Sequence, residues 1–179
     1  MKFNVASVLR PAAAAALFLL PLLLIGWTEQ AAAHPVSQPL SPALLDQQTF
    51  NDVRKVSRLA QSQQLEEDTS IRVIPRVNIN QNPQHICCHY ANILDNYLKN
   101  ILPHHDNFHP SMHRMKTNLH RISEDLQAES CNVTHHSHHV EFQQKLNKIP
   151  VGERRFNKAV GELDILFTYL QDYCIQPRI

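Results

Sequence analysis

The stretch SMHRMKTNLHRISEDL, residues 111–126, carries an apolar side chain at every third or fourth position. The apolar residues are Met112, Met115, Leu119, Ile122 and Leu126. Alternating steps of three and four residues put all of them on one face of an α-helix, which is the pattern of a helix packed in a bundle. The stretch therefore predicts a helix that is opened by His109-Pro110 and buries one face.

Helical signals recur on both sides of this stretch. Ser41-Pro42 predicts the start of a first helix that ends near Gln63, because serine caps helices and proline suits their first position. Asn82-Pro83 predicts a second start, and Pro103 stops that helix. Residues 65–83 contain two prolines, Pro75 and Pro83, and a β-branched cluster, which predict a long connection with one short helical turn.

The C-terminal part predicts a weaker helix that ends at Pro150 and a last helix from about Glu153 to Cys174. Only Gly152 and Gly161 follow residue 33, which is too few glycines for a protein built on tight hairpins. The sequence therefore predicts a single all-α domain, a bundle of five principal helices and one short turn.

The first 33 residues have the pattern of a secretory signal peptide. Lys2 and Arg10 precede an apolar run over residues 12–26, and Ala31-Ala32-Ala33 forms a small-residue cleavage signal. A signal anchor is the alternative, but the run is short for a membrane span and Pro21 interrupts it. We therefore expect a secreted, extracellular domain of residues 34–179 with no membrane insertion after cleavage.

The charge balance of that domain argues against nucleic acid as a partner. Removal of residues 1–33 leaves 15 basic and 15 acidic residues, so the formal charge is zero with histidine neutral. A nucleic-acid-binding domain normally carries a basic surface that attracts phosphates.

Four cysteines lie in the secreted part, where disulfides are the expected state. Three pairings are open. A Cys87–Cys88 bond is disfavoured by the geometry of adjacent residues, so each of these two is expected to have a separate partner. Asn132, in the tripeptide Asn-Val-Thr beside Cys131, is an acceptor for N-glycosylation and predicts a surface loop.

No catalytic constellation is visible in the sequence. Glu162 and Asp164 would point about 200° apart on a helix and cannot act on one substrate atom. Neither a G-x-S-x-G motif nor a glycine-rich phosphate loop occurs, and the chain is not expected to be an enzyme. Lys158 and Glu162, four residues apart, predict a solvated ion pair or a strip that faces a partner. Gly161 between them indicates close approach by another chain or helix.

Histidines are abundant and cluster at residues 104–105 and 135–139. His85/His89 and His109/His113 have the spacing of two ligands on one helix turn, but no H-E-x-x-H motif occurs and the clusters lack acidic or cysteine partners. We therefore expect no metal and no cofactor. A secreted metal-binding protein, whose zinc uptake would depend on residues 135–139, is retained as an alternative hypothesis.

The segment KAVGELDILF, residues 158–167, followed by Cys174-Ile175, resembles the final helix of the interleukin-10 family of class II cytokines, most closely its interleukin-22 branch. Shorter matches follow the same order along the chain: TF at 49–50, IRVI at 71–74, ILDNYLKNIL at 93–102, FHPSM at 108–112 and RIS at 121–123. The resemblance implies a compact six-helix, four-helix-bundle-like class II cytokine fold, a monomer that acts by binding receptors. A dimer of the interleukin-10 or interleukin-26 kind is the alternative within the family.

The implied partners are an interleukin-22 receptor alpha chain and the shared interleukin-10 receptor beta chain, which signal through Janus kinases and STAT factors. A soluble decoy receptor is a further candidate partner. The alpha-chain surface maps onto Thr69 and Arg72 after the first helix, and onto Lys158 and Glu162 as charges at its rim. Gly161 beside them leaves room for the partner.

The implied beta-chain surface maps onto Phe50, Ser111 and Arg114, with serine where the family has an aromatic residue and arginine where it has an acid. The N-terminal cysteine that pairs with the Cys131 position in the interleukin-22 branch is absent. Relatives with adjacent cysteines imply a different pairing, Cys87 with Cys174 and Cys88 with Cys131.

Overall fold

The computed structural model describes residues 38–131 and 137–176. The predicted signal peptide and Asn132 lie outside the described residues. Seven α-helices are present in the described part: α1 Gln47–Ser62, α2 Glu66–Thr69, α3 Pro83–Asn96, α4 Met112–Leu126, α5 Ser137–Leu146, α6 Glu153–Gly161 and α7 Leu163–Tyr173. Two two-residue strands, β1 Gln38–Pro39 and β2 Ile175–Gln176, pair antiparallel. A 3-10 turn spans Pro42–Leu44, and π-type turns span Tyr97–Ile101 and Gln127–Cys131.

The helices pack as a bundle around one apolar core. All five side chains of the 111–126 seam are fully buried, so the predicted apolar face of α4 is confirmed. Other helices complete the core, with buried side chains that include Val53 on α1, Tyr90 on α3, Phe142 on α5, Val160 on α6 and Phe167 on α7. The predicted all-α bundle is confirmed. In the described part of the chain, no helix is long and apolar enough to cross a membrane.

The first helix begins later than the sequence predicts. Ser41-Pro42 opens the 3-10 turn, while α1 begins after Asp46. The Asp46 carboxylate accepts hydrogen bonds from the N–H groups of Gln48 and Thr49, which otherwise have no acceptor within the helix. Ser41 instead donates its hydroxyl hydrogen bond to Asp125 on α4, at 2.6 Å. Asn82-Pro83 does start α3 as predicted, with the Asn82 side chain as its cap.

The last helix is not continuous, contrary to the prediction. It is divided at Glu162, whose N–H bonds to the carbonyl of Ala159, three residues back. Side chains from other helices bond to the backbone carbonyls just before the break. Tyr97 donates to Ala159 O at 2.7 Å, and Gln61 donates to Gly161 O at 2.6 Å. Both carbonyls thus accept hydrogen bonds from side chains outside the helix. They remain satisfied although the helix geometry is irregular at this point.

Two disulfides join adjacent residues of α3 to two other elements of the bundle. Cys87 bonds to Cys174 at the end of α7, and Cys88 bonds to Cys131 at the end of the π-type turn after α4. Adjacent residues on α3 thus reach two different elements, as expected of neighbours that point about 100° apart on a helix. The structure contains the same two bonds that the resemblance implies.

Candidate functional site

The segment from Leu65 to Pro75, which lies between α1 and α3 and is here called the AB connection, packs against the junction of α6 and α7. The Glu162 carboxylate at this junction accepts hydrogen bonds from two successive backbone N–H groups, Val73 at 2.9 Å and Ile74 at 2.8 Å. Lys158 contacts the same carboxylate at 3.0 Å. Lys158 and Glu162 are only 4% and 6% exposed. The AB connection is therefore attached to the bundle through a buried ion pair.

The expectation that Lys158 and Glu162 form an exposed charged rim is wrong. Val73 and Ile74 are fully buried and lie outside the helices, so their N–H groups have no helical acceptor. A buried N–H without an acceptor is costly, and the Glu162 carboxylate removes that cost. Lys158 in turn compensates the buried negative charge. The AB connection covers both side chains.

Gly161 allows two helices to approach closely. A Cβ atom at this position would lie 2.0 Å from Nε2 of Gln64 and 3.2 Å from Cγ of Gln61. Gln61 Nε2 also donates to the Gly161 carbonyl. Of the two interpretations of this glycine, approach by a helix or by another chain, the contact observed among the described residues is with the end of α1.

A second attachment holds the start of the AB connection. Arg154 on α6 donates from Nε and Nη2 to the carboxylate of Asp68, and its Nη2 also contacts Glu67 at 3.0 Å. The Asp68 side chain is 2% exposed, and the hydrogen bond from Arg154 holds the pKa of its carboxyl below the usual 3.8. The next residue, Thr69, is exposed and donates its hydroxyl hydrogen bond to Glu66 O at 2.6 Å.

The Asp68–Arg154 pair predicts acid sensitivity. Because folding lowers the pKa of Asp68, its contribution to stability is present above the unfolded-state pKa and is lost as pH falls through the folded-state value. We expect the free energy of unfolding to fall as the pH drops below about 4, the pKa of an unperturbed aspartate. Arg154→Met should remove part of this slope, which denaturant unfolding at a series of pH values will measure. Identical slopes for the two proteins would contradict the assignment.

Arg72 lies half-buried on the outer side of the AB connection. Its Nε donates to the carbonyl of Ile74 at 3.1 Å and its Nη2 donates to the hydroxyl of Tyr169 at 2.6 Å. The structure thus brings Thr69 and Arg72 to the outer side of a segment that Glu162 and Lys158 hold from within. Tyr169 was not among the predicted site residues. Its position, seven residues after Glu162 and therefore two turns along the same helix face, is the signal that indicates it.

The second predicted group, Phe50, Ser111 and Arg114, is divided between two sides of α1. Arg114 pairs through Nε and Nη2 with Asp52, whose side chain is fully buried, and this hydrogen bonding holds the pKa of the Asp52 carboxyl below its usual value. Ser111 is nearly buried at the start of α4. Phe50 is half-buried and contacts Phe167 on α7, with ring centroids 6.4 Å apart. Arg114 therefore has a structural partner within the fold.

The metal-binding hypothesis gains no support from the part of the chain that is described. Within residues 38–131 and 137–176, no three His, Cys, Asp or Glu side chains come together as ligands of a metal ion. His135 and His136 lie outside the described residues, as do the side chains of His138 and His139.

A family model and a solved structure match this chain. A statistical model of the family described as "Interleukin 22 IL-10-related T-cell-derived-inducible factor" matches residues 44–174. The crystal structure of zebrafish interleukin-22 superposes with a TM-score of 0.64 at 25% sequence identity, covering 76% of this chain and 98% of that chain. No curated protein sequence matches. The family match spans α1 through the end of α7. It includes the AB connection with the junction of α6 and α7, and also the second group, Phe50, Ser111 and Arg114.

Proposed function

Because this chain belongs to the interleukin-22 family, and is thus a non-enzymatic cytokine related to interleukin-10, we propose that it is a secreted monomer that bridges two receptor chains. The two chains are an interleukin-22 receptor alpha chain and the interleukin-10 receptor beta chain. Bringing their ectodomains together activates Janus kinases and STAT factors inside the target cell. Cytokines of this family are secreted and bind cell-surface receptors.

The single observation that supports this proposal most is the fixed AB connection. A receptor-binding segment that is already ordered loses little conformational entropy on binding, which raises its affinity. Glu162 and Arg154 attach this segment at both ends, and Thr69 and Arg72 stand on its outer side. We assign the alpha-chain contact to Thr69 and Arg72. Lys158, Gly161 and Glu162 serve that contact from behind, as the residues that shape and hold the segment.

For the beta chain we propose Phe50, Ser111 and Arg114. Phe50 is a half-buried aromatic residue, and the guanidinium of Arg54 lies 5.3 Å from its ring centroid. Aromatic residues and arginines are the common anchors of protein interfaces. The Arg114 side chain is 56% exposed even while it pairs with Asp52, so its outer side is accessible to a partner.

Processing completes the proposal. Cleavage after Ala33 releases residues 34–179, and Asn132 carries a glycan in the secreted protein. A soluble decoy receptor would compete at the alpha-chain surface.

The mass in solution separates this proposal from a dimer of the interleukin-10 or interleukin-26 kind. Light scattering should give one chain per particle, and a dimer would contradict the monomer.

The decisive test is STAT phosphorylation in cells that express the species-matched alpha chain, the beta chain, or both. Cells with both chains should respond to the purified protein, and cells with either chain alone should not. A response with one chain alone, or none with both, contradicts the bridging mechanism.

The proposed alpha-chain surface makes a further prediction. Arg72→Glu should weaken binding to the alpha-chain ectodomain about 10-fold to 100-fold, because it reverses a charge at the contact. Surface plasmon resonance measures the affinity, and circular dichroism checks that the fold is retained. Lys148→Glu, an exposed charge reversal after α5, is the matched control and should bind as the wild type does. Equal affinities of the Arg72 variant and the wild type would contradict the assigned surface.

A further inference from the structure

Arg72 differs from Arg114 and Arg154, which reach into the fold to pair with carboxylates, and from Arg155, which gives both of its hydrogen bonds to one carbonyl, that of Ile149. Arg114 and Arg154 each donate two hydrogen bonds to a buried aspartate. Arg72 has only neutral acceptors, the Ile74 carbonyl and the Tyr169 hydroxyl, and no carboxylate within ion-pair distance among the residues that the structure describes. A half-buried guanidinium is therefore left without a compensating negative charge.

The two bonds of Arg72 fix its guanidinium in place and leave donors free. A guanidinium has five N–H groups in a planar fork, and the described residues accept from two of them. The guanidinium carbon also lies 5.9 Å from the ring centroid of Tyr169. The remaining N–H groups are thus available to a ligand, in an orientation that is already set.

Tyr169 supplies a second donor beside the first. Its hydroxyl accepts from Arg72 through the oxygen, so its own O–H hydrogen is free to donate. The ring packs against Tyr90 with centroids 4.7 Å apart, and Tyr90 is itself buried and donates to the Pro75 carbonyl at 3.1 Å. The ring of Tyr169 is therefore supported from the core.

The backbone beneath both donors is fixed as well. Glu162 holds the N–H groups of Val73 and Ile74, and Ile74 in turn accepts from Arg72. Because the acceptor that orients Arg72 belongs to a residue that Glu162 immobilises, the position of the guanidinium depends on the buried ion pair. The donors are thus arranged before any partner arrives.

We infer that Arg72 and Tyr169 form a carboxylate-binding site that takes an aspartate or glutamate side chain of the alpha receptor chain. The inference rests on the proposed receptor function and adds the chemistry of the partner. A carboxylate accepts several hydrogen bonds at once and supplies the negative charge that Arg72 lacks. A neutral carbonyl would leave the guanidinium uncompensated once the receptor excludes water from it.

The test compares binding of four variants to the alpha-chain ectodomain over a range of salt concentrations. Tyr169→Phe removes one hydroxyl and keeps the ring, and Arg72→Gln removes the charge. Each should weaken binding about 10-fold, as expected for a lost hydrogen bond to a charged group. Their double variant should lose less than the product of the two losses, because both residues act on one carboxylate. Tyr173→Phe, a half-buried tyrosine on the same helix, is the matched control and should bind as the wild type does.

Salt dependence separates a carboxylate on the receptor from a neutral acceptor. The wild-type association rate should fall with added salt, and Arg72→Gln should lessen that fall. Thermal melts confirm that each variant is folded. Wild-type affinity in both single variants would overturn the site while leaving receptor bridging intact. Losses that are independent of salt would assign a neutral acceptor and overturn the carboxylate. No binding by the wild-type protein would overturn the receptor proposal together with this site.

Discussion

Glu162→Ala is expected to lower the free energy of unfolding by about 3–5 kcal/mol, the range for breaking a buried ion pair by removing one partner. Two penalties combine in this variant. The Lys158 ammonium, 4% exposed as a residue, loses the carboxylate that compensates its charge. The N–H groups of Val73 and Ile74 lose their acceptor in a fully buried stretch. Denaturant unfolding followed by circular dichroism measures the change.

The double variant Lys158→Met, Glu162→Gln is the informative control for this prediction. It removes both charges but keeps a side-chain oxygen that can accept from the AB connection, so it should be more stable than Glu162→Ala. Hydrogen exchange at Val73 and Ile74 should be fast in Glu162→Ala and slower in the double variant. Glu153→Ala removes an exposed carboxylate on α6 and should change stability by less than about 0.5 kcal/mol. If Glu162→Ala also lost less than about 0.5 kcal/mol, this result would show that the Lys158–Glu162 pair does not hold the AB connection.

The parts of the fold that were predictable from the sequence are those encoded by local patterns. The seam of α4 is visible because its five apolar residues repeat with the helix period, and α3 begins at Asn82-Pro83 because that pair suits a capped helix start. The break at Glu162 has no comparable local pattern. It accompanies hydrogen bonds from Gln61 on α1 and from Tyr97 in the π-type turn after α3.

The burial of Lys158 and Glu162 was not predictable from helix periodicity. Charged residues four apart usually form an exposed pair, since long charged side chains are seldom buried. Here the helix face they occupy is covered by the AB connection, whose contacting residues lie 88 and 89 positions earlier in the chain. The backbone N–H groups of Val73 and Ile74 need an acceptor at that place, and only the packed structure reveals this need.

The candidate receptor surface was therefore only partly predictable. The resemblance at residues 71–74 and 158–167 located the two segments, and the structure puts them in contact. It also changes which side chains are accessible, because Thr69 is exposed and Arg72 half-buried while Glu162 is inside. Tyr169 lies outside the short matching segments; its spacing from Glu162 indicates a shared helix face, and the contact with Arg72 is what gives it a role.

Removal of the Cys87–Cys174 disulfide is the second large expected effect. The bond joins residues 87 positions apart, whereas Cys88–Cys131 joins residues 43 apart. Loop-closure entropy predicts a loss of about 4–5 kcal/mol for Cys87→Ala with Cys174→Ala, and about 4 kcal/mol for the other pair. Denaturant unfolding of both double variants tests this order, and a larger loss for the shorter loop would contradict it.

The location of the Cys87–Cys174 disulfide, which closes the longer loop, adds to the effect of removing it. Both Cys87 and Cys174 are fully buried, so their replacement also removes core contacts. Cys174 ends the last helix, and its carbonyl accepts from the N–H of Leu40 at 3.0 Å, next to the pairing of β1 with β2. Without the disulfide, the end of α7 should fray and release β1 with it. Hydrogen exchange should therefore rise at Leu40 in the Cys87/Cys174 variant and remain slow there in the Cys88/Cys131 variant, a contrast that loop entropy alone does not predict.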